Sequence, residues 1–256
     1  MQTLWHPRLL GAVAAAALIL APVAARALSD ADRPAIEGII REYLMKNPEL
    51  LRDVMKELEK RQEAAEEKKR VEAIKTHRAV LNESPRGVVI GNPQGDVTLV
   101  EFFDYNCGYC RRAVTDMLEL VKNDPKLKIV LKEFPVLGPS SVDAARVAIA
   151  VRMQDKGGAK YLDFHRKLFA QRGEVTRERA LAAAREAGLD MTRIERDLQG
   201  PEINATLEES ATLADALGLS GTPSYVIANE VVPGAVGYAA LKAKVDAVRQ
   251  CGLATC

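Results

Sequence analysis

The sequence predicts an α/β domain split by a helical insertion and preceded by an all-helical region, and three observations carry that reading. Residues 86 to 135 read as strand, helix and strand, residues 140 to 218 carry helical periodicity alone, and strands return after residue 220 ahead of one last helix. Residues 28 to 84, by contrast, hold no strand signal and are dense in charge.

The elements follow in chain order. Residues 1 to 27 have the layout of a signal peptide: Arg8 supplies a positive start, Leu9 to Val23 is almost wholly apolar, and Ala25-Arg26-Ala27 is a small-x-small cleavage pattern. The apolar run is shorter than the ~20 residues that a spanning helix needs. Export with cleavage after Ala27 is therefore the expectation, and no later stretch is apolar enough to span a membrane. Arg8 and Arg26 leave with the signal and no acid does, so 229 residues remain with 34 basic side chains against 35 acidic ones. That balance makes no case for nucleic acid or anionic lipid as a partner.

Residues 28 to 58 read as a helical oligomerisation segment. Ile36, Ile39, Ile40, Tyr43 and Leu44 recur at helical spacing, and Leu51, Val54, Met55 and Leu58 do the same after an Asn47-Pro48 turn. Residues 59 to 84 read as a charged linker or stalk, because "EKRQEAAEEKKR" (59 to 70) has only two alanines to bury. It is either a solvated helix aided by pairs such as Glu66/Arg70 or a flexible connector. Val71, Ile74 and Leu81 resume a thin stripe before Ser84-Pro85. The charged connector argues against close docking of the first helices on the main domain, so self-association is expected to cover their stripes.

Residues 85 to 250 form the main domain. "GVVI" and "VTLVEFFDY" are rich in β-branched and aromatic residues and flank a Gly-Asn-Pro-Gln-Gly turn. Ala113, Val114, Met117, Leu118 and Val121 mark one helical face, and "KIVLKEF" is a further strand, so the crossover predicts a parallel βαβ unit. The insertion, about residues 140 to 218, holds helical runs over 141 to 154, 160 to 170, 177 to 187 and 203 to 217. "SYVIA" and "VVPG" then flank Asn229-Glu230 as in a hairpin, and a final helix runs from about Tyr238 to Arg249.

In an oxidising compartment cysteines favour disulfides, and the four here fall into two close pairs, Cys107/Cys110 and Cys251/Cys256. Cys107 sits where a strand hands over to a helix. Unpaired amide groups and the positive end of the helix dipole meet there, and both stabilise a thiolate. Arg111 and Arg112 add positive potential, partly opposed by Asp104. Cys110, one turn on, can reach the Cys107 sulfur, which makes Cys107 the attacking nucleophile and Cys110 the resolving thiol of a redox-active disulfide. If the strand alternates, Glu101 shares a face with Val97, Leu99 and Phe103, and its carboxylate could relay a proton to or from Cys110. A zinc site is disfavoured, since the spacing of Cys251/Cys256 is wrong for it and His165 lies inside a helical run. No metal or other cofactor is expected, although two soft thiolates at Cys107 and Cys110 would also suit Cu(I). In "SGTPSYVI" (220 to 227) Gly-Thr-Pro opens a strand in a setting that admits a cis X–Pro bond. That bond would bare the Thr222 backbone to an extended substrate segment.

Together, "FFDYNCGYC", "LKEFPVLG" and "GTPSYVI" resemble the DsbA-like branch of the thioredoxin superfamily, from Gly87 to about Arg249. "IEGIIREYLMKNPELLRDVMKELEKRQ" is similar to the N-terminal region of the suppressor-of-copper-sensitivity C proteins, periplasmic relatives in which such helices drive self-association. The resemblance implies a thioredoxin fold with a helical insertion, a nucleophile at Cys107, a resolving thiol at Cys110 and a cis proline at Pro223 beside Thr222. Threonine before that proline is common among the family's isomerases. Gly108-Tyr109 stands where the strongly oxidising member has Pro-His, which implies a less oxidising couple. Cys251 and Cys256 fall outside the resemblance. A structural disulfide pinning the tail, residues 251 to 256, is expected of them, with the helix ending near Gln250 and Gly252 turning the chain back.

The expected function is a periplasmic protein disulfide isomerase or reductase. It would act on misoxidised secreted client proteins, be kept reduced by a membrane-bound thiol donor, and work as a homo-oligomer, for example a trimer. The rivals are a dithiol oxidase and a periplasmic Cu(I)-binding protein linked to copper tolerance.

Overall fold

The structure, a computed structural model, describes residues 29 to 155 and 158 to 256. The signal peptide expected over residues 1 to 27 lies outside the described residues. The chain divides into two compact units, the first ending at Glu59 and the second spanning Lys60–Cys256.

In the first unit a 3-10 turn, Asp30–Asp32, leads into α1 (Arg33–Lys46) and the opening turns of α2 (Pro48–Glu83). Asn47 ends α1: both its backbone N–H and its side-chain amide donate to the Tyr43 carbonyl, at 2.9 and 2.8 Å. Pro48 then restarts the helix at a position where its missing N–H costs nothing. No residue of α1 is buried. Ile39, Tyr43, Met45, Val54, Met55 and Leu58 are each more than half exposed, from 54 to 79%.

The second unit is built on a five-stranded mixed sheet of order β1-β3-β2-β4-β5, comprising β1 (Val88–Gly91), β2 (Val97–Phe103), β3 (Leu127–Glu133), β4 (Ser224–Ile227) and β5 (Glu230–Pro233). β2 and β3 are parallel, joined across α3 (Gly108–Asn123), and all other neighbours are antiparallel. β2 is central and covered on both faces. Val97, Leu99 and Phe103 point into the larger core with α3 and the insertion, while Val100 and Phe102 point into a second core. The insertion consists of α4 (Pro139–Gln154), α5 (Ala159–Ala170), α6 (Arg177–Glu186), α7 (Met191–Asp197) and α8 (Pro201–Ala216). Of these, α7 has no periodic signal in the sequence. It is a seven-residue helix whose buried anchor is Ile194, too short to show a periodic stripe.

The segment expected as a stalk is helical throughout, and its second half is part of the domain. Ile74 and Leu81, two turns apart on one face of α2, are 4 and 1% exposed and pack with Val100, Phe102, Val130 and Leu217. Two lysines of β3 receive the C-terminal end of α2: Lys128 Nζ donates to the Asn82 carbonyl at 2.8 Å and Lys132 Nζ to the Val80 carbonyl at 3.2 Å. These carbonyls lack helical partners and lie at the negative end of the helix, so a cation suits them. Lys132 is fully buried and also pairs with Glu209 of α8 at 2.7 Å. The thin stripe sufficed because Val100, Phe102, Val130 and Val226 give it an apolar patch of the sheet to pack on, while the two lysines of β3 take up the helix end.

Candidate active site at the Cys107–Cys110 pair

β2 ends at Phe103, and a four-residue loop delivers Cys107 to the start of α3. Asp104 shapes that loop. Its Oδ1 accepts from the Asn106 N–H at 2.8 Å and the Ser141 hydroxyl at 2.7 Å, and its Oδ2 accepts from the Val136 and Leu137 N–H groups at 2.8 and 3.0 Å. Asn106 continues the clamp, accepting from the Val175 N–H at 2.7 Å and donating to the Val175 carbonyl at 3.2 Å. Beyond the charge expected of it opposite Arg111 and Arg112, Asp104 is buried and its carboxylate is taken up by four donors, holding the loop to the helical insertion. An Asp accepting from the amide two residues on is an Asx-turn, a signal that the Asp-Tyr-Asn stretch carried.

Cys107 is the N-cap of α3, with its sulfur accepting from the Cys110 N–H at 3.4 Å, the place where a Ser or Asp oxygen ordinarily satisfies the first amides. Its Sγ–H donates to the Thr222 carbonyl at 3.1 Å. The amide suits a thiolate and the carbonyl suits a thiol, so both forms find a partner. Cys107 and Cys110 are free thiols, 6 and 0% exposed. Burial is the main cause that pushes the Cys110 thiol far up, so it waits as a neutral thiol. The Thr222–Pro223 bond is cis, and Ser224 of β4 pairs with Phe102 of β2, which brings this loop beside the start of α3.

Glu101 lies on β2 between Leu131 and Tyr225, 4% exposed. Burial, aided by the charge of Asp116, pushes its carboxyl up to about 8. Cys110 feels its charge and so does Tyr225. Glu101 and Cys110 are thus coupled through charge inside the same buried region.

A buried polar cluster under the loop was not anticipated. The Tyr105 hydroxyl lies 3.1 Å from His165 Nδ1 and 3.3 Å from the Tyr161 hydroxyl, and Tyr161 donates to Glu133 Oε1 at 2.7 Å. Burial lowers His165 to about 3, keeping it neutral. These residues are scattered from 105 to 165, so no local motif could announce them. Among the described residues, no group of three or more His, Cys, Asp or Glu side chains is placed to hold a metal ion.

The second pair differs in every respect. Cys251 and Cys256 form a disulfide with Cα atoms 6.3 Å apart, both cysteines exposed. α9 (Tyr238–Cys251) ends there, with Gly252 in the left-handed region at φ 80°. The tail returns to the domain through the Ala254 N–H, which donates to Asn229 Oδ1 at 3.0 Å.

Comparisons with known proteins agree with this architecture. The DSBA-like thioredoxin domain matches residues 98 to 246, and the copper resistance protein ScsC N-terminal domain matches residues 32 to 65. The crystal structure of a thioredoxin-like oxidoreductase from Silicibacter pomeroyi DSS-3 is 44% identical, covering 68% of this chain and 98% of its own, with a TM-score of 0.64. Proteus mirabilis ScsC in a transitional conformation is 26% identical over 84% of this chain and 94% of its own, with a TM-score of 0.61. The Na(+)/H(+) antiporter NhaA of Herminiimonas arsenicoxydans is 28% identical over 161 residues, 62% of this chain and 25% of that protein. The chain thus spans about a quarter of the length of the first curated relatives it matches, and ion exchange stays with their names. Among the described residues no helix is long and apolar enough to cross a membrane. A thioredoxin-type sheet, two free thiols at the start of α3 and these matches lead to one conclusion: the chain belongs to the DsbA-like thioredoxin-domain family of thiol–disulfide oxidoreductases and carries an ScsC N-terminal domain ahead of that fold.

Proposed function

We propose that the protein is a periplasmic disulfide isomerase and reductase in which Cys107 attacks and Cys110 resolves. The observation that carries this reading is the asymmetry of the pair: the Cys107 sulfur caps the helix start, while Cys110 is wholly buried and held as a thiol. Cys107 thiolate attacks one sulfur of a client disulfide. The client S–S bond breaks, a Cys107–client disulfide forms, and the displaced client thiolate takes up a proton. Attack by another client thiol on the mixed disulfide then returns Cys107 with no net electron transfer, which is isomerisation. Attack by Cys110 instead releases a reduced client thiol and leaves a Cys107–Cys110 disulfide, two electrons having passed to the client. A membrane-bound dithiol donor must return those electrons. Glu101 in its ionised form, which its pKa of about 8 leaves as the minor form at neutral pH, takes the proton that Cys110 sheds, and Thr222 and Pro223 flank the client segment.

Isomerisation requires repeated encounters with one client, and self-association supplies them by raising effective concentration. The support is the exposed stripe of α1 and early α2, in which each large apolar side chain covered by another copy contributes roughly 1.5–3 kcal/mol. Periplasmic location rests on the signal-like layout of residues 1 to 27.

The test is recovery of activity by a scrambled-disulfide substrate, comparing the native chain with a Tyr43→Glu, Met55→Glu double variant, alongside subunit number by light scattering. The reading expects the variant to become monomeric and lose reshuffling while still exchanging disulfides with a small peptide. Equal reshuffling by a monomeric variant would remove the link between assembly and isomerisation. Cu(I) bound stoichiometrically by the reduced native chain, with slow exchange, would replace the enzyme by a copper carrier.

A further inference from the structure

A groove beside the Cys107 sulfur carries a charge that thiol chemistry alone does not require. A cavity of about 450 Å³ extends from Thr222 and Pro223 to the edge of the domain, with Leu219, Val231 and Pro233 among its apolar walls. Two arginines line it, Arg70 of α2 and Arg112 of α3, and among the described residues lining it none is acidic. The Arg112 guanidinium sits 4.4 Å over the Tyr109 ring, and Tyr109 is 59% exposed, so the cation is held at the groove rather than drawn into an ion pair. The Arg70 Nε lies 3.8 Å from where a Cβ on Gly218 would stand, and Gly218 is in the left-handed region at φ 64°. Glycine there allows the turn, and the distance places the guanidinium in ordinary contact range of it. The nearest carboxylate to Arg70 is Glu67, at 3.9 Å and half exposed. An exposed contact that long competes weakly for the charge.

We propose that this groove selects client segments that carry an Asp or Glu within a few residues of the reacting cysteine, with Arg70 and Arg112 as the specificity-determining residues. The proposal rests on the reading of Cys107 as the exchanging thiol. An extended client chain passes along Thr222, its apolar neighbours meet Leu219 and Val231, and its carboxylate meets the two guanidiniums. The N-terminal helical region thereby contributes to client choice through α2, a part separate from self-association.

The experiment uses the reduced full chain and three peptides, each with a single cysteine joined by a disulfide to uncharged 2-mercaptoethanol and with Glu, Gln or Lys beside that cysteine. The measured quantity is the rate of peptide release or capture in each case, at low and high salt. The expected order is Glu, Gln, Lys, with Glu about 10-fold faster than Lys at low salt, shrinking to about 2-fold at 1 M salt as the charges are screened. Arg70→Gln and Arg112→Gln are each expected to cut the Glu-to-Lys ratio about 3-fold, and the double variant to abolish it. The ratio is decisive because any change in Cys107 reactivity, near Arg112 especially, is common to all three peptides and cancels. Equal rates for Glu and Lys, or a ratio unchanged in the double variant, overturn the proposal and leave the exchange chemistry standing. No exchange with any peptide overturns the thiol–disulfide reading and the proposal with it. Should the double variant misfold, a salt-insensitive Glu-to-Lys ratio in the native chain overturns the proposal equally.

Discussion

The two cysteine pairs of this chain sit at opposite ends of helices, and the contrast between them is why one is proposed to exchange disulfides and the other to act as a tether. Cys107 opens α3, where free amides and the positive end of the dipole meet its sulfur. Cys251 closes α9, where unpaired carbonyls and the negative end disfavour a thiolate. The first pair is buried, unbonded and backed by a titratable carboxyl, whereas the second is exposed, already bonded and closes a short loop anchored on Asn229 and Glu230. Spacing matters as well: three residues bring two sulfurs to one helix face, whereas five do not, so the second pair needed the helix to end at Gly252.

The largest test of this contrast is Cys107→Ser, since a hydroxyl cannot perform the exchange. Turnover of a disulfide peptide should fall to background, at least about 10³-fold, while Cys251→Ser with Cys256→Ser should stay within about 2-fold of native. Comparable losses in both would erase the distinction. Next, Cys110→Ala should stall the reaction after the first attack. A covalent enzyme–client adduct should accumulate, visible by mass spectrometry without reductant, and its release should slow about 10²-fold or more. A clean, fast release would mean that Cys110 does not resolve.

Glu101 sharpens the comparison through pH. In the folded chain its carboxyl keeps its proton up to about 8, against an ordinary value of 4.5. Between those values the folded state holds more protons than the unfolded one, so stability falls as pH rises and levels off above 8. Glu101→Gln should therefore match the native protein near pH 4 and exceed it at pH 8 by about 3–5 kcal/mol in urea unfolding. A variant no more stable at pH 8 would show that Glu101 is ionised and compensated. His165 acts at the other end: burial holds it at about 3 instead of 6.5, so the unfolded state binds the extra proton and stability falls as pH drops from 6.5 toward 3. The smallest expected effect is at the tether, where losing the Cys251–Cys256 bond should cost about 2 kcal/mol, because the closed loop is short. A cost near zero would mean that the Asn229 and Glu230 contacts suffice to hold the tail.

Much of this was legible locally. The strands over 88 to 91, 97 to 103, 127 to 133 and 224 to 227 coincide with β-branched runs, and α3, α4, α5 and α8 with apolar periodicity, because in each case the buried face is written in adjacent turns. α2 was harder. Its middle has no stripe to read, although Glu66 with Lys69 and Glu67 with Arg70 support a solvated helix there, at 2.8 and 3.9 Å. α7 is shorter than two periods, but Asp190 accepting from the Arg193 N–H at 3.1 Å is an N-cap that "LDMTRIERD" displays. The Tyr105, His165, Tyr161 and Glu133 cluster was not readable at all.

The sequence by itself determined where the proposed chemistry sits, since two cysteines three apart at a strand-to-helix junction need only local geometry to share a helix end. It also determined the sheet and insertion, since periodicities of two and of 3.6 are properties of short windows. Tertiary structure alone decided that Asp104 is a clamp, that Glu101 lies in a desolvated site able to raise its carboxyl to about 8, and that the far half of α2 belongs to the domain. It alone brought Arg70 to the groove beside Thr222. Each of these depends on what packs against a residue from far along the chain. Burial, charge proximity and the partner of a hydrogen bond are properties of the folded neighbourhood, which no window of sequence contains.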